Sequence, residues 1–163
     1  MDWEEESRKY LDMLTRMRRA CVKGYVAPHK PVLLLAVQYL IETGWINDNR
    51  IVLDKRLENT FEQFWNVMVD NGRSDVMIVS EDIVLAVDNV YPFNCKIANP
   101  FYHLSNEAFW TLVKNDQWQP KSVYSLRLLR KYYEYAEIDW NLFELMKKQP
   151  YNDRIRGCLE SMI

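Results

Sequence analysis

At 163 residues the chain has the length of one domain and can bury roughly two thirds of its unfolded surface. Its 48% apolar content, 13% aromatic content and only four glycines exclude a disordered protein. A formal net charge of −2 argues against a uniformly basic nucleic-acid binder, and three scattered cysteines without a Cys-x-x-Cys pair exclude a disulfide framework and a zinc site.

Met1 to Glu6 is acidic where a secretory leader would be basic and then apolar, so a soluble cytoplasmic chain with no membrane partner is expected. A first helix is predicted from Glu4 to Val22, with Tyr10, Leu14, Met17 and Cys21 on one stripe and the arginines on the other face. Between Arg8 and Lys30 the basic residues Arg8, Lys9, Arg16, Arg18, Arg19, Lys23 and Lys30 face a single acid, Asp12. That run reads either as one positive face on an acidic body or as an ordinary solvated helix surface. A smaller basic group follows in Lys121, Arg127, Arg130 and Lys131.

Ala27-Pro28-His29-Lys30-Pro31 then runs into Val32-Leu33-Leu34-Leu35-Ala36-Val37, which is too short to span a bilayer. Pro31 is expected to open a helix, with His29 and Lys30 just before it. Its amide hydrogens and dipole beside a lysine describe an anion site; a buried central helix with a good cap is the other reading. The helix is apolar all round and is predicted to stop at Thr43-Gly44. A turn and a short extended piece follow over residues 45–51, and Leu57, Phe61, Phe64, Trp65 and Met68 predict a third, amphipathic helix started at Asp54-Lys55.

From Asp75 the pattern changes: 76–79 and 83–87 read as a hairpin about Ser80-Glu81-Asp82, or as one buried helical segment. Phe101–Leu104 and Phe109–Val113 read as two strands. Three helices close the chain, over residues 123–133, 139–148 and 152–162, with Asp139 and Asn152 as caps. The predicted class is α+β, a mainly helical single domain over 1–163 with a small antiparallel sheet, and the three cysteines are expected to be reduced and buried.

In this order and spacing, Ala27 to Ala36, then Asn99-Pro100-Phe101-Tyr102-His103-Leu104, Phe109-Trp110-Thr111-Leu112, and the closing Leu142-Phe143-Glu144-Leu145 and Ile155 to Glu160 carry a resemblance. The chain resembles the amino-terminal recognition domain of HNH-type restriction endonucleases, the family that includes the sulfur-binding domain for phosphorothioate-modified DNA. The resemblance implies a module that grips double-stranded DNA and reads a modification within a bacterial restriction or defence system. It implies DNA contacts from Arg19, Lys23, His29, Lys30 and His103. It also implies an apolar pocket from Asn99, Pro100, Phe101 and Tyr102, for which Tyr91-Pro92-Phe93 offers a second aromatic–proline candidate; packing of a strand edge is the other reading of those aromatics. Many members carry an aromatic where Asn99 stands and an arginine where His103 stands, which favours plain duplex binding or a different modification.

An HNH centre needs a general-base histidine and metal ligands on one ββα unit, whereas His29 and His103 fall in separate elements. Glu81, Asp82 and Asp88 lack the spaced lysine of other nucleases. The expected role is therefore non-enzymatic, without cofactor or metal, with a separate nuclease effector as partner. The alternative is a protein-interaction module that has lost nucleic-acid binding.

Overall fold

Asp2 starts the first helix. Its carboxylate accepts the Glu5 amide at 3.2 Å, and α1 (Trp3–Thr15) follows with Glu4, Glu5 and Glu6 in the first turn, against the positive end of the dipole. The computed structural model describes residues 1–71, 91–121 and 124–163. The hairpin expected over 76–87, with Glu81, Asp82 and Asp88, lies outside the described residues, as does Val123.

The helix expected to continue to Val22 stops at Thr15, whose hydroxyl turns back onto the Leu11 carbonyl at 2.7 Å. What overrides the helical period is a turn signal further on. Lys23 and Gly24 have φ of 52° and 80°, the pair of left-handed residues that a two-residue hairpin turn requires. They join β1 (Cys21–Val22) to β2 (Tyr25–Val26), and the Ala27 amide donates to the Ala20 carbonyl at 2.8 Å at the hairpin base. Tyr10, Leu14 and Met17 are buried as the stripe requires, but Cys21 is exposed. Arg16, Arg18 and Arg19 lie in the connection after α1, on no helix face.

The central element is α2 (His29–Glu42), which starts two residues earlier than expected, so that His29 and Lys30 are its first residues and Pro31 its third. Pro31 is tolerated there because the amides of the first turn have no intrahelical partner, and the first helical bond runs from the Val32 amide to the Pro28 carbonyl at 3.0 Å. Only Tyr39 and Glu42 of the helix escape burial, and Gly44, at φ 85°, ends it. Asp54 accepts the Leu57 amide at 2.8 Å and opens α3 (Lys55–Trp65), which continues as a π-turn over Asn66–Asp70.

The stretch around Phe101–Leu104, expected as a strand, is helical: α4 (Ala98–His103) runs into a 3₁₀ turn at Leu104–Asn106. Pro100 is again a third helical residue, and the helical spacing turns Phe101 and Leu104 together into the core. Beyond it come β4 (Trp110–Lys114), α5 (Leu126–Tyr132), β5 (Tyr133–Ile138), α6 (Trp140–Lys147) and α7 (Tyr151–Glu160). The strand β5, which the sequence reading lacks, is the centre of an antiparallel sheet of order β3-β5-β4, where β3 is Arg50–Ile51.

Among the described residues there are seven α-helices and two small antiparallel sheets, an α+β and mainly helical fold. Helices α3, α4, α6 and α7 all pack on α2, and α1 packs on α6 and α7. Asp139 precedes α6 but its carboxylate accepts the Tyr10 hydroxyl at 2.7 Å instead of capping an amide. Asn152 sits inside the first turn of α7, buried, and its carboxamide donates to Glu42 at 3.0 Å, so it is no cap. The thiols depart from the expected burial: Cys21 and Cys95 are exposed and Cys158 is half-buried, all three unpaired. No helix among the described residues is long and apolar enough to cross a membrane.

Candidate functional site

Two stretches far apart in sequence, residues 18–30 and 93–106, meet around a cavity of about 510 Å³. The connection after α1 brings Arg18, Arg19 and Ala20; the hairpin base and the start of α2 bring Ala27, His29 and Lys30. Phe93 comes from the irregular run before α4, and Asn99, His103 and Asn106 come from α4 and its 3₁₀ turn. Among the described lining residues none is acidic. Arg19, His29, Lys30, Asn99 and His103, all singled out from sequence, are thus brought together.

Their chemical states differ. The Arg19 guanidinium donates through Nη1 to the Met162 carbonyl at 2.7 Å and the Ala27 carbonyl at 3.3 Å, so it is held in place, with no carboxylate among the described residues to neutralise it. Burial lowers its pKa, with the neighbouring Tyr91 acting the other way. An arginine nevertheless stays charged at any ordinary pH. The exposed Arg18 guanidinium has no partner among the described residues.

Lys30 is different. It is 7% exposed, and its Nζ donates to the Arg18 carbonyl at 2.5 Å and to Glu107 Oε1 at 3.0 Å. The same Glu107 oxygen accepts the Arg18 amide at 2.8 Å. The lysine expected to meet a phosphate freely is instead the anchor that ties the Arg18 backbone to α2, its charge balanced by Glu107. The two histidines contribute no charge near neutral pH. Burial lowers the pKa of His29, against a hydrogen bond to the Asn94 carbonyl at 2.7 Å that fixes the proton on Nε2. Burial and then the Lys30 charge lower that of His103.

The apolar wall is not where the proline–aromatic motif of α4 predicts it. Pro100 is buried and Phe101 is 1% exposed, packed edge-on to Trp110 at 5.5 Å between ring centroids. The Trp110 indole donates to the Phe101 carbonyl at 3.0 Å. Both are core residues because the segment is helix and not strand. Tyr102 turns away and stacks on Tyr124 at 4.2 Å, outside the cavity lining. The second candidate segment supplies the wall through Phe93, whose ring meets His29 edge-on at 5.7 Å; half-buried Tyr91 supports Phe93 at 5.4 Å, and Pro92 lies between them in sequence. Lys23 stands at the hairpin tip, exposed and apart from the lining.

No family model matches the chain, and no curated protein matches it. Among the described residues no group of three or more His, Cys, Asp and Glu side chains is placed to hold a metal ion. Phe93, part of the second wall candidate, lines the cavity; sequence reasoning missed Arg18 as a lining residue although it adjoins Arg19, and Asn106 carried no signal, since it reaches the cavity from the 3₁₀ turn.

The position of Tyr102 has a direct test. Tyr102→Ala removes a stacked ring pair and lowers the melting temperature by a few degrees, an expected loss of about 2 kcal/mol. Discrimination between modified and plain DNA stays as in the parent in a competition titration. A selective loss of discrimination would return Tyr102 to the pocket.

Proposed function

We propose that the chain is a non-enzymatic DNA-recognition module that binds double-stranded DNA at the cleft between the connection after α1, the start of α2, and α4. The observation that carries this reading is the pair Arg18 and Arg19 on a cavity with no acidic lining residue among those described. A planar guanidinium presents paired donors to a phosphate, and two of them here lack carboxylate partners among the described residues. An overall charge of −2 is compatible with this, because the attraction needed is local. The role proposed is reading of modified DNA, phosphorothioate or another modification, within a bacterial restriction or defence system, with a separate nuclease effector. Phe93, Ala20 and Ala27 favour the larger and less hydrated sulfur of a phosphorothioate edge over an oxygen, which would lose water without gaining a partner.

One observation favours a protein contact as well, at a different place. Tyr39, Trp45 and Val52 are 48%, 58% and 51% exposed, and Tyr39 and Trp45 lie at the carboxyl end of α2. At about 1.5 Å per residue that end is roughly 20 Å from the cleft. A partner seated there leaves the cleft open.

Fluorescence-anisotropy titration of short duplexes, plain, phosphorothioated and base-methylated, at two salt concentrations tests the reading. Binding is expected, with log K falling against log salt at a slope of about −2, the counterion release of two phosphate contacts. Tighter binding to one modified duplex identifies the feature read. Absence of binding to every duplex at low salt overturns the reading in favour of a protein-interaction module.

A further inference from the structure

We infer that the cleft receives a whole nucleotide swung out of the duplex, with the Asn99 and Asn106 carboxamides reading the base edge; this rests on the DNA-binding reading above. The first reason is size. A phosphate group displaces roughly two or three waters at about 30 Å³ each, whereas the cavity measures about 510 Å³. That volume lies within the span of about 300–1,000 Å³ found for sites that enclose a small molecule.

The second reason is the arrangement of chemistry around that volume. The cations Arg18 and Arg19 come from the connection after α1, where a phosphate would be held. Asn99 and Asn106 come from α4 and its 3₁₀ turn, and neither carboxamide has a partner among the described residues. A carboxamide carries donors and an acceptor together, the complement of a base edge and a poor match for an all-acceptor phosphate. Phe93 adds a ring face of the kind on which an extruded base rests, and it is braced from two directions by His29 and Tyr91. A cleft that only gripped the backbone would need neither the ring nor the amides.

The test uses two duplexes of one sequence with a central 2-aminopurine, paired with thymine in the first and facing an abasic site in the second. Extrusion costs pairing energy in the first duplex and little in the second. Binding is expected to be about tenfold tighter to the second, with 2-aminopurine fluorescence rising on binding to both as the base leaves the stack. The exposed double variant Asn99→Ala/Asn106→Ala is expected to bind both duplexes more weakly and to lose the tenfold preference, the larger loss falling on the duplex with the abasic site. Equal affinity for the two duplexes with unchanged fluorescence would overturn the inference and leave the DNA-binding reading standing. Failure to bind either duplex at low salt would overturn that reading and this inference with it. A double variant that retains the full preference would remove the two asparagines from base reading.

Discussion

The double variant Arg18→Ala/Arg19→Ala binds a duplex about 100-fold more weakly than the parent, with a salt slope shallower by about two. A hydrogen bond to a charged group contributes about 1.5–3 kcal/mol, and two arginine–phosphate contacts together reach the roughly 2.8 kcal/mol that 100-fold represents. The effect is specific to these two side chains because Lys30, the third formal cation on the lining, is already balanced by Glu107 at 3.0 Å, and the two histidines are neutral. The cost to folding falls on Arg19. The Arg18 side chain is exposed, whereas Arg19 loses two charge-assisted bonds to backbone carbonyls, about 3 kcal/mol. Anisotropy at several salt concentrations, alongside a thermal melt, separates the two effects. An unchanged affinity and slope in a folded variant would place the phosphate contacts elsewhere.

Lys30 gives the largest expected effect on stability. Lys30→Ala leaves the Glu107 carboxylate, whose side chain is 12% exposed, without its counter-charge, and the Arg18 carbonyl without its donor. Breaking one partner of a buried pair costs about 3–5 kcal/mol, which in a chain of this length lowers the melting temperature by roughly 10 °C. The companion variant Lys30→Met/Glu107→Leu removes both charges with similar volume and recovers part of that loss, because the desolvation of the pair disappears with its attraction while the Arg18 amide and carbonyl stay without their partners. Thermal melts of the single and double variants form the measurement. A single variant as stable as the parent would mean that Lys30 and Glu107 are not paired in solution. The duplex affinity of the double variant is expected to fall, since the Arg18 backbone loses both side chains that hold it.

The reach of sequence reasoning follows the range of the forces involved. Asp54 at the start of α3, Gly44 at the end of α2 and the unbroken apolar surface of α2 were legible because caps, left-handed glycines and total burial are local or all-or-none signals. The Lys23-Gly24 turn was not, because a lysine at φ 52° lacks the asparagine or aspartate that marks such hairpins. Strand β5 was hidden by Glu134 and Glu137, which point outward from a strand whose other residues are mostly buried or half-buried against two neighbours distant in sequence. The site was legible in its parts: Arg19, His29, Lys30, Asn99 and His103 do converge. The wall was left open between two segments because Pro100-Phe101-Tyr102 fits a strand edge or a helical first turn equally well, and only the second buries Phe101 under Trp110 and leaves Phe93 as the wall.

The bond from Arg19 to the Met162 carbonyl sets the two chain ends in unequal relation to the cleft. The last turn touches the residue that holds the cleft together, while α1, thirteen residues long and about 20 Å at 1.5 Å per residue, separates the opposite end from it. A chemical group tethered at Ile163 is therefore delivered beside whatever the cleft holds, and the same group tethered at Met1 is carried a helix length away. Reporter dyes, cleavage reagents and fused effectors thus gain proximity by one terminus only.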